Sequence, residues 1–365
     1  MQITAAVFRD DTLRPSIERL EMSGPGPGEV LVRMVATGVC HTDAKAAGPN
    51  SPAPRPVVLG HEGAGTVEAV GPGVSKVAPG DHVVMTFGSC GRCRSCEEAE
   101  PAYCHHALPL SFGCKRPDGS TYLRAADGST VYGDFFQQSS FASHAIGRER
   151  NVVKVRKDAP LEMLGPLGCG VQTGAGAVLN DLRVKPGRTI AIFGVGALGL
   201  SAVMAARLAG AGRIIAVDRH QNRLDLAREL GAHHAILPGA KPLTEEIKTL
   251  LPIGVDYALD TTGVLAVMRA AFDSLAPRGE CAFVTSPWDG SEFAISPRHL
   301  LLGRKMRGVI EGNSNPDVFI PQLVDWFMDG RFPFDKLVRF YPFADLVQAF
   351  HDSETGVTIK PVLRM

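Results

Sequence analysis

The sequence predicts an α/β protein in two parts, a β-rich first part and a later part built on a parallel sheet. Three observations carry this. Up to about residue 155 the chain is a series of short β-type runs broken by Gly and Pro, with no sustained helical period. From about residue 170, apolar strand-like runs alternate with helical stretches, the pattern of βαβ units. A length of 365 residues also matches two domains of about 150 residues each.

In the first part, residues 29–36, 63–70 and 81–85 read as strands. Gly71-Pro72-Gly73 and Pro79-Gly80-Asp81 punctuate them with turn-forming backbone. Residues 189–193 (TIAIF) are an apolar run of the kind buried on both faces of a sheet. A helical stretch at 198–209 follows, then a strand at 213–217, a helix at 223–230 and a short strand at 235–237. The alternation continues with a helix at 243–250, a strand at 255–259, a helix at 264–275 and a strand at 281–285. The tail from residue 312 holds one amphipathic helix, 318–328, and ends in Lys360-Pro361-Val362-Leu363. It is too short to stand alone and is expected to return to the first part. The boundaries drawn are 1–170, 171–311 and 312–365, and no internal repeat is visible.

Composition removes several classes of function. Lys plus Arg number 38 and Asp plus Glu 38, so no net charge draws the chain to nucleic acid or an anionic membrane. The N-terminal MQITAAVFRD lacks the basic head and apolar run of a secretory signal. Apolar windows such as 190–200 and 198–208 contain glycine or reach an arginine before the ~18 residues a membrane span needs. Four of the eight cysteines crowd into one short loop, which points to metal rather than disulfides and to a cytoplasmic, reducing location.

Residues 189–193 run directly into Gly194-Val195-Gly196-Ala197-Leu198-Gly199, and a helical stretch follows at once. In this context Gly194 permits a tight turn, Gly196 opens the backbone to a pyrophosphate and Gly199 lets helix and strand approach. The helix-start N–H groups, including those of Ala197 and Leu198, are candidate phosphate donors. Asp218 ends the next strand, 24 positions after Gly194. A carboxylate there accepts ribose hydroxyls and repels a 2′-phosphate, which favours NAD over NADP. Arg219 and Arg223 count the other way, because arginines near the ribose accommodate a phosphate.

Cys90, Cys93, Cys96 and Cys104 have the spacing C-x2-C-x2-C-x7-C. Four such thiolates close a tetrahedral shell around zinc and leave no open position, a structural site. An iron–sulfur cluster is the competing reading, but the bacterial ferredoxin run has three residues before its last cysteine and a proline after it. Here the gap is seven and His105 follows. Further candidates lie in Gly38-Val-Cys40-His41-Thr42-Asp43, Gly60-His61-Glu62-Gly63 and Gly168-Cys169-Gly170. Two thiolates and an imidazole suit a zinc site with a fourth position open, but the sequence by itself does not bring them together.

The four-cysteine loop, Gly60-His61-Glu62, Cys169, Gly194 to Gly199 and Asp218 together resemble the zinc-containing medium-chain alcohol dehydrogenases over essentially the whole chain. Cys40-His41-Thr42-Asp43, residues 135–141 (FFQQSSF) and residues 164–174 (LGPLGCGVQTG) resemble most the aryl-alcohol (benzyl alcohol) and geraniol dehydrogenases. The resemblance implies a GroES-like catalytic domain of two sequence segments around an inserted Rossmann-type domain, with the active-site cleft between them. It implies that Cys40, His61 and Cys169 hold a catalytic zinc, that Glu62 approaches the metal during ligand exchange and that Asp43 orients the His61 ring. The resemblance likewise implies that Thr42 takes the substrate proton, that His41 and Lys360 lie near the pyrophosphate and that Thr173 lies near the nicotinamide. Lys45 departs from the family pattern, in which a histidine often ends the proton relay. Phe87 and Phe141 are expected on the substrate pocket, with Phe135 and Phe136 near them in sequence.

The function implied is reversible oxidation of a primary aromatic or allylic alcohol to its aldehyde with NAD, using one catalytic and one structural zinc per chain. Another zinc-dependent alcohol dehydrogenase, including a glutathione-dependent formaldehyde dehydrogenase, is the alternative; a non-catalytic structural or binding protein is a weaker one. The resemblance also implies a homodimer, or a tetramer, joined through the nucleotide domains, with residues 279–284 as a candidate edge strand.

Overall fold

Side chains in Ser16–Met22 alternate between core and solvent, with Leu20 and Met22 turned inward and Glu21 outward. This is the half-buried pattern of an antiparallel sheet. In the computed structural model, which describes residues 1–365, that strand sits in a five-stranded sheet with Val57–Val58, Gln2–Phe8, Leu123–Arg124 and Thr130–Val131. A second sheet of seven strands contains Glu29–Gly38 and Gly63–Val70, paired antiparallel from Val30↔Val70 to Thr37↔Gly63. The C-terminal strand Lys360–Arg364 joins this sheet, placing Val362 opposite Gly38.

Two compact units result. One comprises Met1–Gly170, Asn315–Gly330 and Phe334–Met365, the other Val171–Ser314 and Arg331–Pro333. The first unit has a core that includes Phe8, Leu20, Phe135, Phe141 and Phe350. Its tail helix, Pro316–Met328, starts where the chain chemistry favours it. Asn315 caps it by accepting from the Asp317 N–H at 3.2 Å, and Pro316 occupies the first position, where no donor is needed.

The second unit is one parallel sheet of six strands. In spatial order they are His234–Ile236, Arg213–Val217, Thr189–Phe193, Val255–Asp260, Leu275–Phe283 and Lys305–Gly308. Numbered along the chain this is 3-2-1-4-5-6, the doubly wound order whose reversal next to the first strand opens a ligand crevice. The expected strands and helices of this part are present, with ends shifted by a few residues; the fifth strand begins at Leu275 rather than residue 281. That fifth strand is internal, paired on both sides, so residues 279–284 are not an edge. Lys305–Gly308 is the edge, because it adds one more parallel pairing beyond the strand that the sequence suggested. No helix is long and apolar enough to cross a membrane.

Candidate functional site

Cys40 follows the strand Glu29–Gly38 in extended backbone (φ −123°, ψ 153°) and caps the helix His41–Ala47. His61 follows Gly60, whose φ of +91° suits glycine alone. Cys169 follows the helical turn Gly165–Gly168. These three elements, distant in the chain, bring the ligand atoms of Cys40, His61, Glu62 and Cys169 within 4.8 Å of one another. His61 Nε2 is buried with no hydrogen-bond partner, while Nδ1 lies 2.8 Å from Asp43 Oδ1. A buried imidazole nitrogen left open beside two thiols is what a zinc ion completes. The neighbouring Cys169 thiol, and after it the His61 ring, hold the Cys40 thiol well below its ordinary value against the cost of burial. This favours the ligating thiolate.

Asp43 holds three parts of the site together. Its Oδ1 also accepts from the Gly60 N–H at 3.1 Å, and its Oδ2 accepts from the Cys40 N–H at 3.0 Å. Burial pushes the Asp43 carboxyl up, and the charge of Asp43 raises His61 against the burial of the ring. Glu62 is fully buried and accepts the Gly170 N–H at 3.3 Å. Both its oxygens also accept from Lys360 Nζ at 2.8 Å. Burial opposes the Lys360 charge, but Glu62 overcomes it and holds the ammonium above its ordinary value. Lys360 is 3% exposed and donates further to the Val39 carbonyl. Thr42 is half-buried in the first turn of the helix, and His41 and Lys45 are exposed.

The aromatic surroundings correct one expectation. Phe141 has no exposed surface; its ring meets Phe350 edge-on at 6.1 Å and its backbone lies against Gly60, where an added Cβ would meet Phe141 N at 2.4 Å. It is a core residue, not a pocket wall. Phe136 instead stacks on the His61 ring at 4.6 Å and 26°, with Phe135 edge-on to His61 at 5.6 Å. Phe112 meets both phenylalanines, at 5.8 Å and 5.5 Å. Phe87 is nearly buried; it lines a cavity of about 260 Å³ with Lys76, Glu149, Arg150 and Asp317, outside the His61 cluster. The displacement of Phe141 has a backbone cause. Asp134, Phe136, Gln137 and Ser139 all have positive φ, from 51° to 68°, so side chains in this segment do not alternate as in a strand. Each such residue costs on the order of 1 kcal/mol, and the strain is held by buried hydrogen bonds. Asn151 Nδ2 donates to the carbonyls of Phe136 and Gln137, and Gln138 Nε2 donates to the His61 carbonyl at 2.9 Å.

The four-cysteine loop gathers Cys90, Cys93, Cys96 and Cys104. Sulfur–sulfur separations of 3.6, 3.9 and 4.0 Å match the ~3.8 Å edge of a tetrahedron with Zn–S bonds of about 2.3 Å. They are too long for disulfides, and no cysteine of the chain is disulfide-linked. Backbone N–H groups point at the sulfurs, His105 to Cys93 and His106 to Cys104, each at 3.4 Å. The Cys93 thiol falls to about 6, first through the His105 N–H, whereas burial pushes Cys104 up to about 12.

In the second unit the strand Thr189–Phe193 turns at Gly194 (φ +81°) into the helix Ala197–Leu208. A Cβ on Gly199 would meet the Gly194 carbonyl at 1.9 Å, so helix and strand approach as closely as backbone permits. Around Gly196 only Arg223 Nη1 lies within reach, at 3.7 Å, which leaves the helix start open to a phosphate. Ala197 is buried and Leu198 half-buried on that first turn. Asp218 Oδ2 accepts the Val195 N–H at 2.7 Å and Oδ1 the His220 N–H at 2.9 Å. This fixes the carboxylate at the end of the second strand. Arg223 reaches within 4.0 Å of it, and Arg219 is exposed and turned toward His220. Thr173 donates to Glu311 Oε2 at 3.3 Å, a partner with no signal in the sequence.

Residues 26–157 match the alcohol dehydrogenase GroES-like domain, and residues 197–328 match the zinc-binding dehydrogenase domain. The geraniol dehydrogenase of Castellaniella defragrans is 44% identical over 362 residues, 98% of this chain and 96% of that protein. The chain belongs to the zinc-containing medium-chain alcohol dehydrogenases. It is an NAD-dependent dehydrogenase of the zinc type, with one metal-ligand cluster of catalytic kind and one of structural kind. Two solved structures are similar to the dehydrogenase throughout. An alcohol dehydrogenase zinc-binding domain protein from Burkholderia ambifaria has a TM-score of 0.98 and 52% identity, over 100% of this chain and 99% of that one. The benzyl alcohol dehydrogenase of Acinetobacter calcoaceticus has a TM-score of 0.97 and 43% identity, again over 100% and 99%.

Proposed function

We propose that the dehydrogenase reversibly oxidises a flat primary alcohol, aromatic or allylic, to its aldehyde. The Phe136 ring carries this reading: it stacks on His61 at 4.6 Å, and Phe135, itself without exposed surface, and Phe112 pack against it from behind. Such rings favour a conjugated substrate by stacking and by burial of apolar area at about 25 cal/mol per Å². The names of two relatives, a geraniol and a benzyl alcohol dehydrogenase, support it.

Cys40, His61 and Cys169 would hold the catalytic zinc and Gly194 to Gly199 with Asp218 the NAD. When bound, these supply Lewis-acid polarisation and a hydride acceptor. The rest falls to side chains. Asp43 fixes the His61 ring through Nδ1, which leaves Nε2 for the metal. The Thr42 hydroxyl would relay the substrate's proton, taking it up as it passes its own on toward solvent. Phe136 excludes water from one side of His61 and orients a flat substrate. Lys360 neutralises Glu62, which keeps that buried carboxylate compatible with two neighbouring thiolates.

A kcat/KM series of benzyl alcohol, geraniol, cyclohexylmethanol, hexanol and ethanol tests the reading. Benzyl alcohol and geraniol should lead and ethanol trail by a factor of about ten or more; ethanol matching benzyl alcohol would refute it. We also propose a cytoplasmic protein, in keeping with cysteines gathered in metal-type clusters rather than disulfides, and a homodimer, with a tetramer as the second choice. Leu300, Leu301 and Leu302, between 44% and 86% exposed beside the Lys305–Gly308 edge strand, support an assembly through the nucleotide unit. Sedimentation of a monomer at micromolar concentration would overturn it.

A further inference from the structure

Away from the metal ligands, the first unit contains a buried chain of charges that none of the roles above uses. Glu29 accepts from Arg116 Nε and Nη2 at 2.8 and 2.7 Å, from the Gly26 N–H at 2.7 Å and from Arg148 Nη1. The other fork of Arg148, Nη2, donates to Asp134 Oδ2 at 3.0 Å. Glu29 and Asp134 side chains are 2% and 3% exposed. Asp134 opens the segment of positive φ that carries Phe136. The backbone at position 148 also supports that segment, independently of the guanidinium: its N–H donates to Asn151 Oδ1 at 2.7 Å, and Asn151 Nδ2 donates to the carbonyls of Phe136 and Gln137 at 3.2 and 3.1 Å.

For stability alone the arrangement is poor. Arg148 Nε and Asp134 Oδ1 are buried with no partner, and a buried charge network with unpaired atoms is no better for stability than an apolar filling. What the network does well is define position, since a planar guanidinium between two carboxylates has one geometry. Arg116 provides an internal contrast: it shares Glu29 with Arg148 but donates to no atom of the 134–139 segment.

We infer that Arg148, clamped between Glu29 and Asp134, is a positioning residue that fixes the Phe136 ring against His61 and so sets which alcohols the site accepts. The effect on substrate choice rests on the function proposed above; the effect on the ring does not.

The test compares Arg148→Gln, Arg148→Lys, Asp134→Asn and Arg116→Gln in zinc-loaded protein of measured metal content. Arg148→Gln should lower the benzyl alcohol to ethanol ratio of kcat/KM at least tenfold, mostly through the KM of benzyl alcohol. Arg148→Lys, which keeps the charge but reaches one carboxylate at a time, should recover part of the loss. Asp134→Asn should shift the ratio in the same direction by less, and it decides the matter if Arg148→Gln does not fold. Arg116→Gln should lower the melting temperature yet keep the ratio within twofold of wild type. Independently of turnover, the His61 ring signals in a histidine-labelled NMR spectrum should move in Arg148→Gln toward their positions in Phe136→Ala, and stay in place in Arg116→Gln. A ratio unchanged by Arg148→Gln, or changed equally by Arg116→Gln, overturns the inference. So do His61 signals that respond to Phe136→Ala but not to Arg148→Gln or Asp134→Asn. If wild-type protein shows no preference for benzyl alcohol, the proposed function fails, and the ring signals still decide the role of Arg148.

Discussion

Replacing Asp43 with asparagine keeps the shape of the side chain and removes half of its accepting capacity. The native carboxylate takes three N–H groups, those of His61 Nδ1 at 2.8 Å and Gly60 at 3.1 Å on one oxygen and that of Cys40 at 3.0 Å on the other. An asparagine has one acceptor oxygen, so its NH2 must face a donor. The less costly orientation keeps the oxygen toward His61 and Gly60 and leaves the Cys40 N–H buried against an amide donor. An unpaired buried donor costs about 1–3 kcal/mol, and making the His61 bond neutral costs about 1 kcal/mol more. The total is about 2–4 kcal/mol, divided between the fold and the orientation of His61 and Cys40, both candidate ligands. Loss of a partner that orients a metal-bound histidine typically weakens metal binding about 10–100-fold. The assay is chelator competition followed by zinc analysis, with the melting temperature read in parallel. In Asp43→Asn one zinc should be lost at a chelator concentration about 10–100-fold lower than in wild type, while the four-cysteine site keeps its metal. Affinities within twofold of wild type at both sites would refute the reasoning, because Nδ1 would then not be what aims Nε2.

Four further substitutions separate the parts of the molecule. Cys96→Ser opens a closed four-thiolate site and should mainly lower the melting temperature, whereas Cys169→Ser should mainly lower kcat; equal losses of both in the two variants would contradict the division. Asp218→Ser removes the carboxylate that Val195 and His220 hold in place, so kcat/KM with NADP should rise relative to NAD, with Arg223 available to the phosphate; wild-type activity at least as high with NADP would rule this out. Burial raises the Glu29 carboxyl, but Arg116, the Gly26 N–H and Arg148 outweigh it and hold it below its ordinary value. Its ionised form therefore stabilises the native state above the unfolded value of about 4.3, and that contribution fades as pH falls further. The melting-temperature gap between wild type and Glu29→Gln should be full near neutral pH and narrow below about pH 4; a constant gap in thermal melts from pH 7 to 3 would exclude it.

Features written in contiguous residues are legible in the chain itself. Thr189–Phe193, Gly194 to Gly199 and the following helix form one uninterrupted strand, turn and helix, because each step depends on neighbours a few residues apart. The four-cysteine loop is legible for the same reason: fifteen consecutive residues, 90–104, carry all its ligands. Cys40, His61 and Cys169 belong together only by resemblance until the fold closes, since no local periodicity relates a helix cap, a loop and a distant turn. Strand order is equally invisible locally. Residues 279–284 have the apolar character of a strand, but only the pairing of Lys305–Gly308 outside them makes them internal. The sharpest case is FFQQSSF. Its composition marks an aromatic segment near the site, yet whether Phe136 or Phe141 faces His61 depends on a backbone with positive φ at Asp134, Phe136, Gln137 and Ser139. Neither a period of two nor one of 3.6 survives such a turn. Asn151, Gln138 and the Glu29–Arg148–Asp134 chain hold its conformation from elsewhere in the fold, so tertiary structure alone decides which ring meets His61.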